Sequence, residues 1–345
     1  MLATESNAVA VAARAKVPPH SWKQIVEPVE PFLEAVARRL AEQVQSFDPE
    51  IASYAHYALT NQGKQLRPAL VALSAGTIGK PNEGLITVAV IIEMVHLATL
   101  VHDDVMDQAV LRRQRPTLAA NWGNQISVLL GDCLFAHALK LAASFPTTEI
   151  CRAVSAATKT VCSGEILQTH RQRQFQFSRE DYFKVLEMKT AELFALSCEL
   201  GACLCGATPA ERGGLRRFGL ALGTAYQVYD DCLDLFGSEA SVGKSLGTDL
   251  ATGKLTLPVL VALERANPVN RARLRELIEH WHNGNIAGVR ELLEQHDALD
   301  ESRGTIQHFL ESARQCLAAL PETESRLALA GLTGFLAQQT DALGG

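Results

Sequence analysis

Apolar side chains recur along most of the chain at the spacing of an amphipathic helix. Phe32, Val36, Leu40 and Val44 follow one another every four residues, which places them on one face of a helix. Several further helical stretches begin at a proline or a capping residue, as helix starts often do. They begin near Pro49, Pro68, Glu83, Asn124, Thr148, Glu180, Pro209 and Thr256. Because sustained two-residue alternation is not found, the pattern predicts an all-α protein of ten or more helices.

Two stretches interrupt the helical pattern. Residues 111–117 read LRRQRPT, which predicts a basic turn, and residues 237–253 form a loop rich in Gly and Ser. Part of this loop, Gly237 to Ser245, nearly matches a nucleotide-binding P-loop. It has five residues between the glycines instead of four, it follows a helix, and Glu239 would face phosphate. We therefore interpret it as an ordinary loop.

Composition supports a large folded core. The 345 residues are 47% hydrophobic, which excludes wholesale disorder, and only 6% aromatic, which favours helices over a β-sandwich. The net charge of −6 is not that of a nucleic-acid-binding protein, so we expect no nucleic-acid partner. The eight cysteines form no CxxC pair and most lie in apolar helical stretches, as Cys133, Cys198 and Cys232 do. This predicts reduced, buried cysteines.

The N-terminal residues do not resemble an export signal, because Glu5 comes early and no long apolar segment follows. The longest apolar run, residues 85–101, is interrupted by Glu93 and His96 and is too short to span a bilayer. We therefore expect a cytoplasmic protein. Residues 1–27 are predicted to be a flexible N-terminal extension, followed by a single domain over residues 28–345.

Two acidic clusters of the form DDxxD stand at the ends of apolar helices. On a helix, residues four apart share a face, so each cluster offers two or three carboxylates to one point. Like charges ~4 Å apart repel by about 4 kcal/mol at an effective dielectric constant of 20, and carboxylates are unfavourable near helix C-termini. Hard oxygen ligands without His or Cys indicate Mg²⁺, which commonly shares its ligands with substrate phosphates. The clusters are Asp103, Asp104 and Asp107, and Asp230, Asp231 and Asp234.

Basic residues lie near these clusters in several separate segments. Taken singly, each is more often a surface charge than a ligand, but together with two metal-type clusters they predict a site for polyphosphate. Lys64 and Arg67 are three apart at a helix start, which predicts that they share one side of it. The others are Arg112, Arg113, Lys189, Lys244 and Lys254.

An ordered set of motifs runs along the chain: GKQLRP, HLATLVHDDVMD, LRRQRPT, GEILQ, KTAELF, QVYDDCLD and GKSLGTDLATGKLTLP. In these motifs, over about residues 30–340, the chain resembles the trans-isoprenyl diphosphate synthases, or polyprenyl synthetases. The resemblance implies an all-α fold with a central cavity walled by helices, and usually a homodimer. It also implies head-to-tail condensation of isopentenyl diphosphate onto an allylic diphosphate, assisted by about three Mg²⁺ ions.

Residue roles follow from the resemblance position by position. The six aspartates would hold the magnesium ions. The allylic diphosphate would be bound by Arg112, Lys189, Lys244 and Lys254. Isopentenyl diphosphate would be bound by Lys64, Arg67, His96 and Arg113. Thr190 and Gln227 would face the developing carbocation, and Lys189 would also stabilise the leaving group. His96 precedes Asp103 by two helical turns, a spacing that favours a diphosphate donor over a core histidine.

Product length should depend on the helix that precedes the first aspartate cluster. Each turn adds about 5.4 Å, roughly one isoprene unit. Short-chain members of the family often carry a bulky aromatic four or five residues before the motif, where this chain has Thr99 and Ala98. Val95 and Ile91 lie below them, and Phe135 on the next helix is a candidate for a deeper floor. We therefore predict a product of about C30 to C50, made from farnesyl or geranylgeranyl diphosphate and released near a bilayer.

Three alternatives stay open at this point. A short-chain synthase would end at C15 or C20 if Val95 and Ile91 close the cavity. A class I terpene cyclase would share the aspartates but would not need a second basic set. A non-catalytic subunit of a two-chain synthase usually loses one aspartate motif, and this chain keeps both. One departure from the family pattern is Gln114, which stands where glycine usually follows the paired arginines.

Overall fold

The computed structural model describes residues 21–60, 63–237 and 246–344, and within them the protein is almost entirely helical. This confirms the predicted all-α class. The α-helices are α1 (Trp22–Val26), α2 (Glu30–Gln43), α3 (Ala52–Thr60), α4 (Leu66–Ile78), α5 (Glu83–Met106), α6 (Leu118–Trp122), α7 (Asn124–Ala143), α8 (Thr148–Arg171), α9 (Arg179–Leu186), α10 (Glu192–Leu204), α11 (Pro209–Phe236), α12 (Thr248–Thr252), α13 (Leu257–Arg265), α14 (Pro268–Glu279), α15 (Ile286–Gln295), α16 (Ala298–Leu317) and α17 (Glu324–Asp341).

Shorter elements join these helices. Single 3₁₀ turns cover Glu27–Val29, Val44–Ser46 and Asn283–Asn285, and a π-helical turn over Glu187–Ala191 links α9 to α10. The helix starts expected from the sequence agree with the structure within about one turn. At the start of α11, for example, Thr208 and Glu211 form a reciprocal capping box and Pro209 occupies the first turn.

The predicted basic turn is a small β-hairpin. Strands β1 (Leu111–Arg112) and β2 (Arg115–Pro116) pair antiparallel, with Arg112 opposite Arg115. The predicted Gly/Ser loop is interrupted by α12, so its second half was wrongly expected to be irregular. Residues 238–245, which hold Lys244 and nearly all of the P-loop-like segment, lie outside the described residues.

The packed chain begins before the predicted domain boundary at residue 28. Ile25 and Val26 of α1 are buried in the core, and the ring of Trp22 lies 6.4 Å from that of Phe335 on α17. These contacts place the last part of the predicted extension on the domain itself. Residues 1–20 lie outside the described part of the chain.

The core is organised around long helices that run through the centre of the molecule. Helix α11 packs between α10 and α16, and α10 also packs on α4. On the other side, α5 packs along α7 and contacts α2 and α4. The aspartate clusters stand at the C-terminal ends of α5 and α11, so the two central helices carry them into the interior.

Helices α5 and α7 are each long and apolar enough to cross a membrane by length and composition alone, so the expectation that the run over residues 85–101 is too short was wrong by that criterion. Within the fold, 67% of the apolar window of α5 is buried but only 39% of that of α7. Helix α5 is therefore accounted for as a core helix, whereas α7 leaves part of its apolar surface uncovered. Cys133 lies on this outer face of α7 and is exposed, so its predicted burial was wrong, while Cys198 and Cys232 are buried as expected.

Candidate active site

The first aspartate cluster forms the last turn of α5, and cations from three other segments meet it. Asp104 accepts a 2.7 Å hydrogen bond from Nε of Arg112 on the hairpin. Asp107 accepts from Nζ of Lys254 at 3.0 and 3.2 Å. Nζ of Lys189 lies 3.7 Å from Oδ2 of Asp103. The structure thus brings three of the predicted allylic-diphosphate ligands to the first cluster.

Lys189 is held on two sides by α8. Its ammonium group pairs with Glu165 and donates a 2.9 Å hydrogen bond to Gln168. Lys189 lies in the π-helical turn, and such turns are common at functional sites. Helix α8 approaches this turn so closely at Gly164 that a Cβ there would lie 2.8 Å from the backbone nitrogen of Lys189. The GEILQ motif therefore supplies both the close approach and two partners of the lysine.

Asp103 is a carboxyl group in an unfavourable position for its charge. Burial, with the nearby carboxylates of Glu165 and Asp107, outweighs Lys189 and Lys254 and raises the pKa of Asp103 to about 6. Burial also raises the pKa of Asp104, although Arg112 opposes that shift. The end of α5 therefore holds more negative charge than its neighbours neutralise, which is the electrostatic condition for binding a cation.

In the second cluster, Asp231 and Asp234 accept hydrogen bonds from other protein groups. Asp234 is buried and accepts from the backbone nitrogens of Thr248 and Asp249 and from the Thr248 hydroxyl, at 2.7–3.2 Å. Asp231 is 5% exposed and accepts 2.6 and 2.8 Å hydrogen bonds from Tyr182 and Gln227. Asp230 is half-buried. These contacts do not test a metal-binding role for any of the six aspartates, which stays a prediction.

The segment after the second cluster connects it to the first. Asp234 fixes the start of α12, and Lys254, which follows α12, reaches Asp107 on α5. Burial opposes the charge of Lys254, but Asp249 and Asp107 outweigh it and raise the pKa of Lys254. Lys254 therefore connects the first aspartate cluster to the segment that Asp234 holds, and we call the region around these groups the cleft.

A second group of basic residues surrounds Glu93 and His96, which lie about two to three turns before Asp103 on α5. Arg67 and Arg113 flank the buried carboxyl of Glu93; burial raises the pKa of Glu93 while both arginines lower it. Burial and the charges of these arginines lower the pKa of His96 well below its usual value, so the imidazole is neutral at pH 7. Arg67 stacks 5.1 Å above the ring of Phe194, and its Nε is buried without a hydrogen-bond partner in the described chain. The fold thus unites three of the four predicted isopentenyl diphosphate ligands.

Lys64 departs from its expected position. It is exposed and precedes α4, and Gln65 between them is left-handed with φ of 50°. The three-residue spacing predicts that Lys64 and Arg67 share one side of a helix start. In the structure they do not share a helical turn, because Lys64 precedes the helix.

The guanidinium of Arg113 packs directly on Gly63. A Cβ at Gly63 would lie 2.4 Å from Nη2 of Arg113, so a larger residue there would displace the arginine. Arg113 and Gln114 have φ of 51° and 62°, the left-handed pair of a two-residue type I′ hairpin turn. The hairpin turn therefore forms without a glycine at 114, and it directs Arg112 to Asp104 and Arg113 to Gly63.

Thr190 and Gln227 lie beside each other, as their predicted shared role requires. The hydroxyl of Thr190 donates a 2.9 Å hydrogen bond to Oε1 of Gln227.

The residues predicted to set product length line α5 before the first aspartate cluster. Ala98, Val95 and Ile91 are fully buried on α5, and Thr99 is half-buried with its hydroxyl bonded to the carbonyl of His96. Phe135 of α7 packs against His102, one position before Asp103.

The donor set of the cleft suits a hard divalent cation. Its ligands are carboxylate oxygens, and Asp103 and Asp107 keep side-chain exposures of 17% and 33%. In the described residues, no three acidic, His or Cys side chains are already grouped as a metal site. A cation held by one or two carboxylates keeps positions for phosphate oxygens, which fits Mg²⁺.

Sequence reasoning missed four residues that the structure places at the site. Glu165 and Gln168 hold Lys189, Glu93 lies between the arginines, and Tyr182 holds Asp231. For Glu165 and Gln168 a signal existed, because both lie in the GEILQ motif and share a helix face. Tyr182 carries no sequence signal, because it reaches α11 only through the packing of α9.

This all-α protein places carboxylates and two groups of cations around the end of α5, an arrangement that suits a phosphorylated ligand bound with a divalent metal. A family model described as polyprenyl synthetase matches residues 48–296, which is most of the chain. The chain therefore belongs to the polyprenyl synthetase family, and it is a prenyltransferase.

Individual relatives agree with this assignment over nearly the whole chain. The chain is 34% identical over 303 residues to octaprenyl diphosphate synthase from Escherichia coli strain K12, covering 87% of this chain and 93% of the relative. A decaprenyl diphosphate synthase structure from Rhodobacter capsulatus superposes with a TM-score of 0.87 at 31% identity, covering 93% and 99%. A polyprenyl synthase structure from Caulobacter crescentus, complexed with calcium and isoprenyl diphosphate, gives 0.86 at 33% identity, covering 92% and 97%.

Proposed function

We propose that this enzyme condenses isopentenyl diphosphate head-to-tail onto farnesyl or geranylgeranyl diphosphate and releases diphosphate. Repetition of this step builds an all-trans polyprenyl diphosphate of about C30 to C50. The observation that carries the proposal is the presence of two cation groups, one in contact with the aspartates at the end of α5 and one around Glu93 and His96. One diphosphate would require only the first group, so the second group argues for two diphosphate substrates and against a terpene cyclase.

The allylic diphosphate is assigned to Arg112, Lys189 and Lys254, each of which already contacts an aspartate of α5. Lys244 belongs to the same predicted set. Isopentenyl diphosphate is assigned to Lys64, Arg67, His96 and Arg113. The buried, unpartnered Nε of Arg67 supports a ligand there, since buried polar atoms are nearly always hydrogen-bonded.

Magnesium is the proposed metal, with about three ions per site held by Asp103, Asp104, Asp107, Asp230, Asp231 and Asp234. When bound, the ions would neutralise negative charge on the leaving diphosphate. Calcium together with isoprenyl diphosphate in the Caulobacter structure supports a divalent metal at this kind of site. Lys189 and Arg112 add fixed positive charge beside the leaving group.

The remaining residues act on the hydrocarbon part of the reaction. Ionisation of the allylic carbon–oxygen bond leaves a carbocation, which the oxygens of Thr190 and Gln227 would stabilise. The double bond of isopentenyl diphosphate attacks it, and a proton is then lost to the departing diphosphate. The apolar walls of α5 keep water from the cation. Small side chains at Ala98 and Thr99 support a long product, because the first turn below Asp103 carries no aromatic ring.

A homodimer is proposed as the working assembly, with the outer face of α7 as its interface. Val128 and Leu129 are 40% and 55% exposed there, and Cys133 is exposed beside them. An apolar helix face of this kind favours a protein partner, and a second copy of the chain supplies one with the same surface.

Product analysis tests the function directly. Purified protein is incubated with Mg²⁺, labelled isopentenyl diphosphate and farnesyl diphosphate, and the dephosphorylated products are sized by mass spectrometry. A series ending at C30 or beyond is expected. A series ending at C20 would keep the reaction and overturn the chain-length assignment. Absence of magnesium-dependent elongation with several allylic primers would indicate a non-catalytic subunit.

A further inference from the structure

The carboxylate of Asp231 is engaged on both oxygens, by the buried side chain of Tyr182 and the half-buried side chain of Gln227. The Tyr182 hydroxyl donates to Oδ2 at 2.6 Å and Nε2 of Gln227 donates to Oδ1 at 2.8 Å. Asp231 and Tyr182 are 5% and 3% exposed, so water does not compete for the bond between them. A buried acceptor with two fixed donors has one preferred orientation.

Tyr182 is the donor in its bond to Asp231, because an ionised carboxylate oxygen can only accept and the phenol carries the proton.

The fixed carboxylate in turn decides which way the Gln227 amide faces. Its NH₂ group is used on Asp231, so its carbonyl oxygen points the opposite way and accepts the 2.9 Å bond from Thr190. Thr190 therefore spends its only proton on Gln227. The unused lone pairs of the Thr190 hydroxyl and the Gln227 carbonyl are left for the cleft.

We propose that Tyr182 is a positioning residue for prenyl transfer, acting through Asp231 and Gln227 on Thr190. It holds the oxygens of Gln227 and Thr190 with their lone pairs directed at the developing carbocation. Asp231 then serves as the anchor of this chain, besides the metal role proposed for its cluster. The inference rests on the proposed function, because it assigns a role within that reaction.

A positioning role predicts a particular kinetic signature. Oxygens that meet the cation only in the transition state affect kcat, while ground-state binding of the two diphosphates is left alone. Tyr182→Phe removes one hydroxyl and keeps the ring. We expect kcat to fall about 10- to 100-fold, with both KM values and the Mg²⁺ concentration for half-maximal activity within about twofold of wild type.

The test is a double-mutant cycle on the full-length protein with Tyr182→Phe, Thr190→Val and the double variant. If the two residues act as one unit, the double variant is no slower than Thr190→Val alone. Thr340→Val is the matched control, because it also removes a buried hydroxyl, one that donates to the Leu336 carbonyl far from the cleft. We expect this control to keep wild-type kcat while its melting temperature falls about as much as that of Tyr182→Phe.

Several results would overturn the role of Tyr182. They are losses in the double variant that multiply, an unchanged kcat in Tyr182→Phe, or a large rise in its Mg²⁺ requirement. The last result would mean that Tyr182 acts on the metal site and not on Gln227. Failure of the proposed function is distinguishable, since wild-type protein would then show no elongation at all.

Discussion

At the scale of single residues, the Asp103 carboxylate lowers the stability of the metal-free fold while it provides charge for binding. Asp103 is ionised only at a cost, because burial and two neighbouring carboxylates raise its pKa from 3.8 to about 6. Below pH 3.8 the carboxyl group of Asp103 is protonated in both the folded and the unfolded chain, so it adds no pH dependence to the stability. As the pH rises from 3.8 through 6, the unfolded chain ionises first, so the metal-free protein loses stability over that range.

Asp103→Asn should therefore separate stability from activity. Above pH 7 the variant should melt at a higher temperature than wild type in the absence of metal, and this gain should shrink as the pH falls towards 4. Elongation should drop about 100-fold or more, because a ligand to the diphosphate-bound metal is lost. Melting curves across pH 4–8 and steady-state rates measure the two effects.

The control is Asp300→Asn, at an aspartate 75% exposed on α16, which should change neither quantity. Metal binding to the free enzyme should also weaken as the pH drops through about 6, since the carboxylate binds metal only when ionised. A lower stability of Asp103→Asn at pH 8 would contradict this prediction. It would mean that the attraction between Lys189 and the Asp103 carboxylate exceeds the cost of burying that charge.

At the scale of elements, the hairpin between α5 and α6 keeps a strained turn that places Arg112 and Arg113 at the site. Arg113 and Gln114 both adopt left-handed backbone conformations, which cost roughly 1 kcal/mol for a residue with a Cβ. The turn persists because the groups around it are well satisfied: Arg112 pairs with Asp104, and the Tyr57 hydroxyl donates to the Pro116 carbonyl at 2.6 Å.

Gln114→Gly should relieve part of this strain. We expect the free energy of unfolding to rise by about 0.5–1 kcal/mol, measured by urea denaturation, with product length unchanged. Gln114→Ala keeps a Cβ and should bring no gain, so it controls for loss of the side chain. A destabilised Gln114→Gly would mean that the Gln114 side chain contributes more than its backbone strain costs.

Helix α5 carries the proposed ruler for product length. Ala98→Phe should shorten the main product from C30 or longer to about C20, because the ring fills the first turn below the aspartates. Ala98→Leu should give intermediate lengths, and reversed-phase chromatography of the dephosphorylated products separates them. Since Ala98 is fully buried, overpacking should also lower stability by about 1–3 kcal/mol. Unchanged product length in both variants would remove Ala98 from the path of the chain.

At the scale of the whole molecule, the outer face of α7 is the surface that the fold leaves uncovered. Leu129→Glu should convert the proposed dimer to a monomer, measured by sedimentation velocity, because an ionised carboxylate would be buried at the contact. Leu327→Glu, at a leucine 67% exposed on α17, is the matched control and should stay dimeric. A monomeric wild type would refute the dimer, and vesicle binding lost in Leu129→Glu would assign the face to a membrane.

The amino-acid sequence by itself determined the helical class, most helix starts and the two aspartate clusters. Periodicity, caps and motif order are local properties, so they can be read without a structure. It also indicated which basic residues to expect at the site, through the order of the family's motifs. The sequence was a poorer guide to where a residue lies relative to the end of a helix. Lys64 is the example, because the left-handed Gln65 separates it from α4.

Only the tertiary structure decided which groups meet. Asp104 meets Arg112, Asp107 meets Lys254 across 147 residues, and Tyr182 meets Asp231 across 49. Such pairs depend on how helices cross, and no local pattern encodes a crossing. The same holds for charge: the raised pKa of Asp103 and the neutral state of His96 arise from burial and from neighbours on other helices. The residue types were visible in the sequence, but their chemistry was set by packing.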